Sequence, residues 1–483
     1  IAGIYSLMLH QLAAWGSFQH VCDGAASLSE TYRTNFNQTR QWSLGRRVAG
    51  RLRASRGCRG RVSKFSFAAL VNATLAIVAI QTLDGCAPIE TSHSGPNSFY
   101  ARNFERRPSA GELSALGRSL FADRSLSASG ELACSSCHDP AHAYGPATNK
   151  PVVFGGPDMS LPGVRAIPSL TYQQAVPPFS EHVSETDGDD SIDQGPAGGR
   201  GWDGRAASAH EQAAIPLLSP FEMANADSGA LVGRLRRSPN AALFRATFGE
   251  HVLDNAPLTW NGALLALEVF QQSAPDFYPY TSKYDAWLRG KIELSADEHR
   301  GLELFNDPAK GNCAQCHPSS IKRGQFPQFT DYGFVDLGVP RNANIPANQD
   351  PGYFDLGLCG PYRAAFTNRA DYCGLFRTPS LRNVALRKTF FHNGVFRDLT
   401  DVLHFYVERD LSPERFYPGR SDGAVNKFDD LPSRFWLQIN VEAPFRNGGG
   451  KPALTEDEIH DIINFLGALS DGYQSASLDS SEP

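Results

Sequence analysis

Methionine is nearly absent from this chain: three residues of 483, at positions 8, 159 and 223. The stretch from 224 to 483 has no Met thioether to offer, so a metal centre built there must use other side chains. A basic excess is missing too. Lys and Arg total 45 against 51 Asp and Glu, a net charge of −6, which excludes a general nucleic-acid binder. Long apolar runs are also lacking. The most apolar stretch, Phe65–Ile80, is too short for a comfortable membrane span. With 41% hydrophobic and 20% charged residues, bulk disorder and a polytopic membrane protein are both excluded. The length fits about two to three domains.

The first 85 residues read as leader. Residues 1–61 carry nine Arg and only two acids, Asp23 and Glu30. We expect them to be upstream sequence, with Val62 as the true start. A basic stub at Arg61–Lys64, the apolar run Phe65–Ile80 and Leu83-Asp84-Gly85-Cys86 then make residues 62–85 a secretory signal peptide. Leu-x-Gly-Cys is similar to a bacterial lipobox, which makes Cys86 a candidate lipid anchor; plain secretion is the other reading. The expected location is the periplasm, as a soluble protein or a lipoprotein. The leader holds ten bases and three acids, so residues 86–483 keep 35 bases and 48 acids, net −13.

Two motifs carry the chemistry: Cys134-Ser-Ser-Cys137-His138 and Cys313-Ala-Gln-Cys316-His317. Two thiols at this spacing can form thioethers to the vinyl groups of a haem, and the next His reaches the iron. At this composition about 0.004 such motifs arise by chance. A redox dithiol or a zinc site would leave both histidines unexplained. Two covalently bound haem c groups are therefore expected, with His138 and His317 as iron ligands.

The flanks repeat as well. Ser109-x-x-Glu112 and Ser295-x-x-Glu298 are capping boxes, each followed by apolar residues at helical spacing and then a haem motif. Thr455-x-x-Glu458 opens a third helix, with Ile459, Ile462, Ile463 and Leu466 on one face. Gly/Pro-rich stretches around 155–200 and 340–360 read as loops. The expected fold is mainly α. It has two cytochrome c-like domains with long irregular loops, over 100–262 and 263–476.

These residues resemble the bacterial di-haem cytochrome c peroxidases, the family that includes MauG. The resemblance spans nearly all of residues 100–475. It rests on Trp202-Asp203-Gly204-Arg205-Ala206, Gln212, Pro220-Phe221-Glu222-Met223, Phe376–Val384 and Phe391-His392-Asn393-Gly394. It implies a peroxidase. Hydrogen peroxide would form high-valent iron at the N-terminal haem, and the C-terminal haem would pass electrons. It implies Glu222 and Gln212 as polar groups of the peroxide pocket and Trp202 as a relay between the haems. Splitting an O–O bond calls for a group that moves a proton from the near oxygen to the far one, which suits a carboxylate such as Glu222.

Family members place the second axial ligand of the C-terminal haem fourteen residues after the His of the His-x-Gly segment. Counted from His392, that residue is Tyr406, similar to MauG rather than to the Met-ligated peroxidases. Its alternatives are His404 or no protein ligand. The distal His of ordinary members, sixteen after the haem His, is replaced by Phe154, so the N-terminal haem is expected to be open. Ala166 stands where the family carries an Asn near a calcium ion, which leaves only backbone oxygens to contribute. Cys359 and Cys373, 14 residues apart in an exported chain, are an expected disulfide.

Three functions compete on this reading. One is a peroxidase that oxidises an aromatic residue of a partner protein. The second draws electrons from a small cytochrome c or cupredoxin to detoxify peroxide. The third is a non-enzymatic di-haem electron carrier.

Overall fold

In the computed structural model the described residues are 103–183, 195–322, 324–446 and 450–474. The leader, the candidate start at Val62 and the candidate anchor Cys86 lie outside them. The described chain is helical, with two short antiparallel ribbons, Phe154–Gly155 with Leu161–Pro162 and Phe334–Val335 with Phe376–Arg377.

Each half is organised by a pair of crossing helices. In the first half, α1 (Ala110–Phe121) crosses the later helix Ala256–Gln271. Between them run α2 (Ala209–Leu218), α3 (Ser228–Leu235) and α4 (Ala241–Phe248), so Ala256–Gln271 is α5. In the second half α6 (Lys283–Leu288) precedes α7 (Ala296–Asn306), then α8 (Leu399–Glu408) and α9 (Glu456–Gly467). There α7 crosses α9. All three expected capping boxes form, at Ser109, Ser295 and Thr455.

Both crossings are closed by a glycine. A Cβ on Gly117 would sit 2.0 Å from the Ala266 carbonyl oxygen, and one on Gly301 would sit 2.0 Å from that of Asp461. Hydrogen is the only side chain that allows the helices to approach so closely.

Two main cores follow this plan. One gathers residues from Phe104 to Phe277, the other from Tyr284 to Leu469. The boundary expected between 262 and 263 falls inside α5. The whole apolar face of α5, out to Phe270, is buried in the first core. The core change thus lies between 277 and 284, because α5 must run its full length to cross α1. A smaller cluster lies around Cys359 and Cys373, whose sulfurs are bonded at 2.06 Å.

Candidate functional site: two cavities joined by a tryptophan

Each Cys-x-x-Cys-His segment folds as one tight turn. The His138 N–H donates to the Cys134 carbonyl at 2.9 Å, and the His317 N–H donates to that of Cys313 at 2.9 Å. The three residues Cys, Cys and His of each segment border one cavity. None of the four sulfurs is in a disulfide, and burial pushes each thiol up, Cys137 to about 11 and the others to about 12.

Both histidine rings are held the same way. His138 Nδ1 lies 2.9 Å from the Tyr144 carbonyl and His317 Nδ1 lies 2.8 Å from that of Phe329. Both carbonyls belong to residues in the left-handed region, Tyr144 at φ 52° and Phe329 at φ 52°. Such a conformation costs a side-chain-bearing residue about 1–2 kcal/mol, and the paired strain aims each carbonyl at a ring. Burial lowers each imidazole to about 4. Each ring is therefore neutral at pH 7, with Nδ1–H donating and the Nε2 lone pair free for a metal.

The first cavity has a volume of about 220 Å3 and is bordered by Cys134, Cys137 and His138 together with Gln212 and Glu222. Gln212 comes from the first turn of α2, which Ser208 caps. Glu222 follows the end of α2, its N–H donating to the Ser219 carbonyl at 3.1 Å. Burial pushes the Glu222 carboxyl up, opposed by the nearby Ser219 hydroxyl and the Arg205 charge. Phe154 also borders this cavity, where His138 is the one histidine among the described lining residues. His142 turns outward to Asp139, 3.0 Å away.

The second cavity, about 190 Å3, is bordered by Cys313, Cys316, His317 and Tyr406. Tyr406 projects from α8 into it, its ring 5.2 Å from that of Phe445. Burial, then the nearby Cys316 and Cys313 sulfurs, raise the phenol further above its ordinary value. His404 does not reach this cavity; its nitrogens face Glu408 and Glu456 instead. His392 borders the cavity, but its ring is stacked on Phe376 at 3.6 Å and Nε2 faces Asp430 at 3.7 Å.

Trp202 lines both cavities. It is 7% exposed, and its Nε1–H donates to the Ala166 carbonyl at 2.7 Å. Its indole is thus a buried, packed aromatic that stands between the two cavities. Ala166 gives its carbonyl to Trp202, and beside it the Arg165 guanidinium binds Asp203 and Asp355.

Several arginines escaped the sequence reading. Arg377 and Arg387 border both cavities, and Arg200 borders the first. Burial lowers Arg377 and Arg387 to about 10. Arg200 Nε and Arg377 Nη1 are buried and have no hydrogen-bond partner. Buried cationic donors of this kind call for an anion. Paired thiols, a metal-ready imidazole and these donors all fit a haem, which brings vinyl groups, iron and two carboxylates. The one signal for them was the Phe376–Val384 segment, whose Arg377 carried no assigned role.

Comparison with known proteins agrees. Residues 111–293 match the family model described as di-haem cytochrome c peroxidase. The methylamine utilization protein MauG of Paracoccus denitrificans (strain Pd 1222) is 36% identical over 377 residues, covering 76% of this chain and 90% of the relative. This chain belongs to the di-haem cytochrome c peroxidase/MauG family. The crystal structure of the diheme peroxidase BthA from Burkholderia thailandensis E264 superposes with TM-score 0.66 at 36% identity, covering 76% of this chain and 87% of the other. A MauG-like protein associated with microbial copper homeostasis matches with TM-score 0.51 at 25% identity, covering 75% and 91%. As a member of this family, the chain is a haem-dependent oxidoreductase acting on peroxide.

Proposed function

We propose that this family member is a MauG-like peroxidase. In this reading two haem c groups are bound covalently, one through Cys134, Cys137 and His138 and one through Cys313, Cys316 and His317. A haem held in the first cavity by Cys134, Cys137 and His138 would supply the redox chemistry for peroxide O–O cleavage. Glu222 takes the proton from the near oxygen and returns it to the far one, and Gln212 orients the peroxide by hydrogen bonding. Reduction of one peroxide to two waters takes two electrons and two protons. The electrons pass through Trp202 from the second cavity. Their source is an aromatic residue of a partner protein, which gives up two electrons and two protons per peroxide and is reached after export to the periplasm. The observation that carries this reading is the second cavity. Tyr406 borders it while His404 is turned away, and no Met follows residue 223. A phenolate ligand favours oxidised iron, whereas Met raises the potential.

Peroxide added to the fully oxidised, haem-loaded protein tests the proposal. Both haem spectra should change together and persist, with no prior reduction. A response only after one-electron reduction would instead make it an ordinary peroxidase fed by a small cytochrome or cupredoxin. Tyr406→Phe should shift the optical and EPR signature of the low-spin haem; an unchanged signature overturns the ligation.

A further inference from the structure

The face of α8 opposite Tyr406 holds a cluster that the peroxidase reading does not use. Residues two apart on a helix point about 200° apart, so His404 looks away from the second cavity. It is 6% exposed, and its Nδ1 has no hydrogen-bond partner. That nitrogen lies 3.5 Å from Glu408 Oε1, one turn along the same helix. Its Nε2 lies 3.4 Å from Glu456 Oε2, in the first turn of α9. One donor atom from each of the three residues can be chosen with all three within 4.8 Å of one another.

We propose that His404, Glu408 and Glu456 form a binding site for a divalent first-row transition ion, zinc foremost, that bridges α8 and α9. An imidazole nitrogen with two carboxylate oxygens is a donor set of this class, and three protein ligands leave a fourth position for water. Ligand atoms around tetrahedral zinc stand about 3.4 Å apart. The two carboxylates face different ring nitrogens, so one ion takes one nitrogen and a carboxylate must swing toward it; Glu456 can do so, because its side chain is 67% exposed. Glu408 Oε1 faces His404, while its Oε2 is paired with Arg415. The local field suits a cation. Glu408 ends α8, where the carbonyl end of the helix attracts positive charge. Glu456, Asp457 and Glu458 offset the positive end of α9, and Asp401 adds a further carboxylate near His404. An imidazole buried between two carboxylates with one nitrogen unpaired is costly as it stands; a bound ion would satisfy it. Bound there, the ion would tie the helix that carries Tyr406 to the helix that closes the second core.

The test uses the full haem-loaded chain, so that the cysteines are occupied. After chelation the protein is titrated with zinc by calorimetry, and retained metal is counted by mass spectrometry. One equivalent should bind with a Kd in the micromolar range or below and raise Tm. Glu456→Gln should weaken that equivalent at least tenfold, and His404→Gln should abolish it. Exposed pairs such as His251 with Asp254 and His299 with Glu303 remain in both variants and supply the background. Equal stoichiometry and Kd in the wild type and Glu456→Gln overturn the site. Because Glu456 is exposed, that variant decides the matter even if His404→Gln fails to fold.

Discussion

Glu222, half-buried, and Asp336, buried, are carboxyls bordering different cavities, and their surroundings separate them. Burial raises Glu222, and the nearby Ser219 hydroxyl and Arg205 charge oppose that rise. Glu222→Gln keeps the size and removes the titratable carboxyl. Peroxide-driven spectral change should slow by about 10²-fold or more while both haems stay attached; stopped-flow mixing with peroxide checks this, and an unaltered rate removes Glu222 from the chemistry. Asp336 is different. Its Oδ1 accepts from the Gly338 N–H at 2.8 Å, its Oδ2 is unpaired, and burial raises the carboxyl to about 7. Between about pH 4 and 7 the folded state therefore holds a proton that the unfolded state has released. Stability should fall as pH rises through that window and level off above it. Asp336→Asn should flatten the slope and gain about 1–3 kcal/mol at pH 8, measured by urea unfolding across pH.

At the scale of elements, the two crossings α1/α5 and α7/α9 are built alike. Gly301→Ala would drive a Cβ to 2.0 Å from the Asp461 carbonyl oxygen and force the helices apart. A loss of about 1–3 kcal/mol is expected, as for overpacking elsewhere. Gly467 has open space around its Cβ position, so Gly467→Ala should be nearly neutral. Thermal melts of the two variants side by side decide the point, and equal melting temperatures would remove the close-crossing argument. These helices were legible in the sequence because caps and apolar spacing are local. Less visible were Tyr144 and Phe329, whose left-handed backbones aim carbonyls at the two histidines. Nothing in an aromatic side chain announces a positive φ.

Across the whole molecule, the two halves meet around Trp202 and Arg165. The Arg377 N–H donates to the Trp202 carbonyl at 2.8 Å, and the Ala166 N–H donates to that of His392 at 2.7 Å. Arg165 joins Asp203 of the first half to Asp355 of the second through contacts of 2.7 and 2.5 Å, with all three side chains nearly buried. Arg165→Ala would strand two buried carboxylates and should cost about 3–5 kcal/mol. Arg165→Lys keeps the charge but not the fork that reaches both partners, and should lose less. Thermal unfolding of the haem-loaded variants checks the order. If Arg165→Ala melts like the wild type, the guanidinium does not hold the halves together.

The haem motifs, the helix starts, the absence of Met after residue 223 and the family resemblance could all be read from the chain alone. Each rests on neighbours within about a turn or on composition. The expected half boundary at 262/263 falls within α5, a helix whose full length packs in the first core. Which histidine faces a cavity was equally out of reach. His404 and Tyr406 are two residues apart, yet only the packing of α8 against its neighbours turns the phenol toward Cys313 and Cys316 and the imidazole toward Glu408 and Glu456. The convergence of Trp202 and the buried arginines on two cavities was likewise decided by tertiary structure, because these residues meet only when segments far apart in sequence pack together.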